Sequence, residues 1–158
     1  MAAATVHASA VLVGARAVLI RGPSGAGKSR LAFDLIVAGR TGLVTSARLI
    51  GDDRVHLEAA NGRLLVRPAP ALAGLIEVRG VGLVRLAYEP CAVVGLVVDF
   101  VATDAERLPP AESQAAEVAG IIIPRLAVAA AADALPGLLA AFATWRDAMA
   151  GWSVGAIC

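Results

Sequence analysis

The apolar positions of this chain fall into short blocks whose spacing separates strands from helices. Residues 5–13 (TVHASAVLV) read as a strand, Gly14-Ala15 as a turn, and Ala17 to Ile20 as a second strand running into a glycine-rich stretch. From Lys28 to about Ala38 the period lengthens to that of a helix. Leu31, Leu35 and Ile36 share one face, and Gly39 reads as the stop. Two apolar pairs follow, Leu43-Val44 and Leu49-Ile50, the second leading into Gly51-Asp52-Asp53. Val55 to Leu57 and Leu64 to Val66 flank Asn61-Gly62, a tight-hairpin signal. Pro68-Ala69-Pro70 begins a loop, Leu75 to Leu86 carries Ile76-Glu77-Val78-Arg79-Gly80-Val81-Gly82, and Val93 to Val98 reads as a buried strand. Asp104 to Pro110 is a polar loop, Glu112 to Val118 a short helical stretch, and Ile121 to Ile123 strand-like again. A terminal helix is expected from Asp133 to about Met149. Pro136 falls in its first turn, and Leu138, Leu139, Phe142, Trp145 and Met149 form its core stripe. The pattern predicts one α/β domain over 1–158, richer in strand after the first helix than a simple alternating fold.

Composition changes this picture little. The hydrophobic content is 58% and the mean hydropathy +0.75. Yet the run Cys91 to Val98 stops at Asp99, and the run around Ile121 meets Pro124-Arg125, both short of the roughly 20 residues of a spanning helix. No membrane partner is expected. The net charge of +1 supplies no electrostatic footprint for nucleic acid. The N-terminus has no charged start or sustained apolar segment, and two cysteines, Cys91 and Cys158, give neither a disulfide framework nor metal-ligand spacing. A cytoplasmic location is the expectation.

One charge stands apart. Of 14 Lys and Arg residues only Lys28 is lysine, and it lies in Gly22-Pro23-Ser24-Gly25-Ala26-Gly27-Lys28-Ser29. That octapeptide fits the phosphate-loop pattern G-x-x-x-x-G-K-[ST], and a strand before it and a helix after it are the context the pattern needs. Glycines let main-chain N–H groups approach phosphates. Lys28 would neutralise the terminal phosphates, and Ser29 would present its hydroxyl to Mg²⁺. The alternative is a glycine turn that merely caps a helix.

Other candidates are weaker alone. Asp52 and Asp53 could hold Mg²⁺ or take a proton from an attacking hydroxyl, or form a polar turn before the hairpin. Glu77 and Arg79, two apart, could pair on an exposed strand face or direct a carboxylate at a metal and a guanidinium at phosphate. His7 sits amid small and apolar residues, His56 reads as surface decoration, and Arg107 is a loop arginine.

In order, His7, the loop Gly22–Ser29, Asp52-Asp53-Arg54-Val55 and Ile76-Glu77-Val78-Arg79-Gly80-Val81-Gly82 resemble the catalytic domain of HPr kinase/phosphorylase. The last segment looks like that family's signature, and Glu106-Arg107-Leu108 falls where the family places an arginine. The resemblance runs from about residue 5 to 130. It implies a phosphate-loop kinase domain of the HPr kinase / phosphoenolpyruvate carboxykinase-like type, a mixed sheet flanked by helices. It further implies ATP and Mg²⁺ as cofactors, an HPr-like phosphocarrier protein as partner, and a homo-oligomer, hexameric in the family. By resemblance Ser29 and Glu77 would be directed at the metal, Asp53 would be the general base, and Asp52 is the alternative for that role. His7 would set the aspartates' protonation, and Arg107 would stabilise the phosphoryl group in flight.

Four departures stand beside it. The chain begins almost at the catalytic strand, like a short form lacking the N-terminal domain. Arg30 follows Ser29 where the family has Glu. The connection from Ser29 to Asp52 is several residues longer than usual. The Pro-Gly-Arg-type segment associated with dephosphorylation is missing, with Ile123-Pro124-Arg125-Leu126 in its neighbourhood. The leading reading is an HPr serine kinase, with dephosphorylation open. The competing ones are a phosphate-loop kinase for a small metabolite and a non-catalytic nucleotide sensor.

Overall fold

A computed structural model of the chain describes residues 4–145 and 147–152. The first apolar run is two strands, β1 (Thr5–Val6) and β2 (Ala8–Val13), separated by a bend at His7. The cause is a change of partner. Thr5 and Val6 pair with His56 and Val55, whereas β2 pairs along its length with β3 (Arg16–Arg21). His7 is therefore freed from the ladder at the edge of the sheet.

The predicted helix is α1 (Lys28–Arg40), which buries Leu31, Leu35 and Ile36. Gly39 does not end it. A Cβ there would stand 2.6 Å from the backbone nitrogen of Ala47, so glycine lets β4 (Ala47–Gly51) pass close to the helix's last turn. The helix closes one residue later, where the Thr41 N–H and hydroxyl both donate to the Val37 carbonyl.

Val55–Ala60 (β5) and Arg63–Pro68 (β6) form the expected hairpin, with positive φ at both Asn61 and Gly62. His56 of β5 is half-buried with its Nδ1 enclosed, rather than surface decoration. Leu75–Val78 (β7) and Gly82–Arg85 (β8) pair only with each other, as a two-stranded ribbon. The buried strand is β9 (Ala92–Phe100).

Three readings need correction after this point. The expected helical stretch is a single 3-10 turn at Ala111–Gln114 followed by β10 (Ala115–Val118). Exposed Ala115 and Glu117 alternate with half-buried Ala116 and Val118, the period of a strand, and the pairing partner makes it one. That partner, β11 (Ile121–Val128), continues past Ile123. Pro124 sits where it leaves β10, and from Arg125 it pairs with β9. Finally, α2 (Ala134–Thr144) is shorter than expected. Asp133 caps it by accepting from the Leu135 N–H, and Trp145, Met149 and Trp152 lie in turns beyond its end. Cys158 lies outside the described residues; Cys91 is exposed and free.

The result is α/β, a nine-stranded mixed sheet in the order β1-β5-β6-β9-β3-β2-β4, with β10 and β11 branching from β9. On one side β9 pairs in parallel with β3; on the other it pairs first with β6 and then, from Val97, in parallel with β11. Side chains of β3 divide between two cores. Val18 and Ile20 join Leu35 of α1 and Leu138 of α2; Ala17 and Leu19 join Val55, Leu64 and Val66. With both faces covered, β3 is a rigid mount for the loop at its end. No helix among the described residues is long and apolar enough to cross a membrane.

Candidate functional site

The glycine-rich loop joins the end of β3 to the start of α1, the position at which a parallel sheet presents helix N–H groups to an anion. Gly22 turns the chain hard against β9: a Cβ there would lie 2.7 Å from the Phe100 Cβ, and its φ of 151° is one that side chains disfavour. The first turn of α1 holds no acidic residue of its own; the carboxylate nearest its positive end comes from Asp52, bonded to the Ser29 hydroxyl.

Lys28 opens that helix and is almost wholly buried. Its Nζ donates to the carbonyls of Gly22 and Pro23 at 2.8 and 2.9 Å, folded back over the loop. Burial pushes its pKa down, against the opposing pull of Asp53 and Asp52.

The paired aspartates diverge. Asp52 is 4% exposed and accepts from three donors: Ser9 Oγ at 2.6 Å, Ser29 Oγ at 2.8 and 2.9 Å to its two oxygens, and the Glu77 backbone N–H at 3.1 Å. Asp53 faces the other way. Its φ of 68° is in the left-handed region, and the Arg54 N–H closes the turn onto the Asp52 carbonyl at 2.8 Å. Its side chain is 64% exposed, with Oδ1 3.1 Å from His7 Nε2. The bend that frees His7 and the turn that inverts Asp53 bring the two together across 46 residues.

A cleft of about 590 Å³ lies over the loop, lined by His7, Lys28, Ser29 and Arg30 on one side and by Glu77, Val78 and Arg79 of the ribbon on the other. Glu77 and Arg79 form no ion pair with each other among the described residues. Arg30 projects outward and pairs loosely with Asp34 at 3.8 Å. The structure does not bring Arg107 into this cleft; it is exposed on the segment after β9.

The residues present fit a triphosphate with Mg²⁺. The bonded pair of Ser29 hydroxyl and Asp52 carboxylate is an oxygen donor set of the kind a hard cation takes, and the Glu77 carboxylate borders the same cleft. No three His, Cys, Asp or Glu among the described residues form a cluster able to cage a metal alone.

Ser9 was not singled out from sequence. Its one signal is its place two residues after His7, the spacing that puts strand side chains on the same face.

Comparison with known proteins places the chain in a family. Residues 1–132 match the family described as HPr Serine kinase C-terminal domain. The HPr kinase/phosphorylase of Mycoplasma mycoides subsp. mycoides SC is 39% identical over 77 residues, 49% of this chain and 22% of the relative. That of Streptococcus thermophilus is 41% identical over 81 residues, 51% of this chain and 24% of the relative. The chain thus spans less than a quarter of the length of these curated relatives. The solved structure of the HPr(Ser) kinase/phosphatase from Coxiella burnetii superposes with a TM-score of 0.67 at 25% identity, covering 86% of this chain and 91% of that one. With 132 of its 158 residues matched, the chain belongs to the HPr serine kinase C-terminal domain family.

Proposed function

We propose that this chain is a protein-serine kinase domain that transfers the terminal phosphoryl group of ATP to a serine of an HPr-like phosphocarrier protein. The observation that carries the reading is the pairing of His7 with an exposed Asp53 at 3.1 Å beside a phosphate loop whose Ser29 engages the neighbouring Asp52. A nucleotide-binding loop alone needs no such outward-facing carboxylate.

Ser29, Asp52 and Glu77 would hold Mg²⁺, which when bound neutralises charge on the phosphates. Lys28 would exchange its two carbonyl partners for phosphate oxygens, a better match for a desolvated ammonium. Asp52 is occupied by three donors and is the poorer base. Asp53, exposed and oriented by His7, would accept the proton of the serine hydroxyl as the new O–P bond forms and the bond to the ADP oxygen breaks. Run backwards, the same carboxylate would return that proton in dephosphorylation. Arg107 would meet the phosphoryl group once the protein substrate closes over the cleft, where such a charge is worth on the order of 10³-fold in rate. Working as a homo-oligomer in the cytoplasm is part of the same reading, and its support is the family resemblance; sedimentation that finds only monomer at micromolar concentration would remove the oligomer.

The test is transfer from γ-labelled ATP into a purified HPr-like protein beside a panel of small hydroxylated metabolites. Label on the protein's serine is the expected outcome. Label on a metabolite with none on the protein would replace this reading with a metabolite kinase, and binding without any transfer would leave a nucleotide sensor.

A further inference from the structure

Outside the cleft, four charged side chains run as a relay across the neighbouring parallel strands β3, β9 and β11. Arg21 donates through Nε and Nη2 to the two oxygens of Asp99, at 2.7 and 2.8 Å. Asp99 Oδ2 also accepts from Arg125 Nε at 2.6 Å. Arg125 turns its other nitrogens to the segment after β9. Nη1 and Nη2 donate to the Asp104 carboxylate at 2.8 and 3.0 Å, and Nη1 also donates to the Ser113 carbonyl at 3.0 Å. The relay's two ends are functional ground: Arg21 directly precedes Gly22 of the phosphate loop, and Asp104 lies three residues before Arg107.

Stability alone is a weak reason for this arrangement. The Arg125 and Asp99 side chains are only 14% and 16% exposed, and apolar side chains of equal volume commonly serve as well as a buried ion pair. Burial by itself would push Asp99 up, but the hydrogen bonds and charges of Arg21 and Arg125 outweigh it and hold the carboxyl below its usual range. Asp104 is held down chiefly by its bond to Arg125. All four groups are therefore charged, and what their fixed forks supply is geometry.

The middle of the segment they grip has little else to hold it, whereas its far end, at Ser113, is buried beside β11. Residues 106 to 110 are all exposed, and Leu108 is 86% so. Its backbone ties lie near its ends: the Ala102 N–H to the Val128 carbonyl, and the Ser113 N–H and hydroxyl to the Pro110 carbonyl. One guanidinium, on Arg125, reaches both Asp104 and Ser113 and so closes the loop that carries Arg107 between them.

We propose that Arg125 is a positioning residue: clamped by Asp99 and Arg21, it fixes both ends of segment 104–113 and thereby the approach of Arg107 to the transferred phosphoryl group. This rests on the kinase reading given above. Because Arg21 adjoins the phosphate loop, the loop for the donor and the loop for Arg107 share one frame.

The experiment uses the whole chain with Arg125→Gln, Arg125→Lys, Asp104→Asn and Arg107→Ala, and the Arg107→Ala/Arg125→Gln double variant. Three quantities are read: phosphoryl transfer to an HPr-like protein, Mg²⁺-ATP affinity by calorimetry, and hydrogen exchange over 101–114. Arg125→Gln should lower kcat about tenfold or more with ATP affinity within about twofold of wild type. It should also speed exchange over 101–114, and cost little more on top of Arg107→Ala, because both act through one group. Arg125→Lys should recover only part, since an ammonium cannot fork to three acceptors. Asp104→Asn changes only the half-exposed end of the relay, and it should show the same pattern more mildly should Arg125→Gln fail to fold. Full additivity with Arg107→Ala, loss of ATP affinity in step with kcat, or unchanged exchange over 101–114 would overturn the proposal. A wild-type chain that transfers nothing to the HPr-like protein would instead overturn the kinase reading, and the exchange result would still decide whether Arg125 holds the segment.

Discussion

The Ser29 hydroxyl lies 2.8 and 2.9 Å from the two carboxylate oxygens of Asp52, although 23 positions separate them in the chain. The connection between them runs through α1 to Arg40 and the turns at 41–46, before β4 returns antiparallel to β2 and carries Asp52 back beside the helix start.

Ser9 supports that pair from behind. Its buried hydroxyl donates to Asp52 at 2.6 Å, and a hydrogen bond to an ionised group contributes roughly 2 kcal/mol. Ser9→Ala should therefore lower the melting temperature by about 4–8 °C for a chain of this size. Thermal denaturation checks it; an unchanged Tm would mean Asp52 finds another donor.

Lys28→Met should reduce ATP affinity by about 100-fold or more without loss of stability, because the ammonium removed is a desolvated one. The pH dependence has a definite sign. The folded pKa of Lys28 lies below its ordinary 10.5, so between the two values the folded chain holds fewer protons than the unfolded chain, and stability rises with pH. Phosphate oxygens supply the missing counter-charge and raise that pKa. ATP binding in this alkaline window should thus take up protons, seen as a calorimetric enthalpy that varies with the buffer's ionisation heat and ceases to vary in Lys28→Met.

Gly39→Ala inverts the usual rule for helices. Alanine is ordinarily better than glycine by about 1 kcal/mol in a helix interior. Here its Cβ would stand 2.6 Å from the Ala47 backbone nitrogen, and the resulting shift should destabilise by about 1–3 kcal/mol. Urea denaturation distinguishes the two signs.

Much of the site was legible because its parts are close in sequence. The loop Gly22–Ser29, with strand before and helix after, announces itself in eight consecutive residues. The different settings of Asp52 and Asp53, one buried and one exposed, were not legible from the residues, since they depend on a backbone inversion at φ 68° that no side-chain pattern encodes. Ser9 was invisible for a related reason: a serine in an apolar strand acquires meaning only when another strand places a carboxylate beside it. Ala115 to Val118 was misread as helical because alanine suits either period, and pairing with β11 decided. Arg125 carries no motif at all; the parallel pairing of β11 with β9 gives it Asp99 as a neighbour.

Asp99→Asn should break the centre of the ionic relay and leave two guanidiniums against an uncharged amide. Removing one partner of a buried ion pair costs about 3–5 kcal/mol, on the order of 10 °C in Tm here. The folded pKa of Asp99 lies below the ordinary 3.8, so its contribution is present above that value and is lost as pH falls through the depressed one. The difference in Tm between wild type and Asp99→Asn should hold steady from neutral pH down to about pH 5 and close in stronger acid. A gap that widened on acidification would contradict the assigned direction.

The most direct test of the central claim, that Asp53 takes the proton of an attacking serine while Lys28 holds the triphosphate, is single-turnover phosphoryl transfer to an HPr-like protein by wild type and Asp53→Asn. Asparagine tolerates the left-handed backbone at this position and keeps a polar partner for His7, so the change removes the base and little else. Transfer should slow by about 10²–10⁴-fold with Mg²⁺-ATP affinity unchanged. Transfer at the wild-type rate by Asp53→Asn would contradict it.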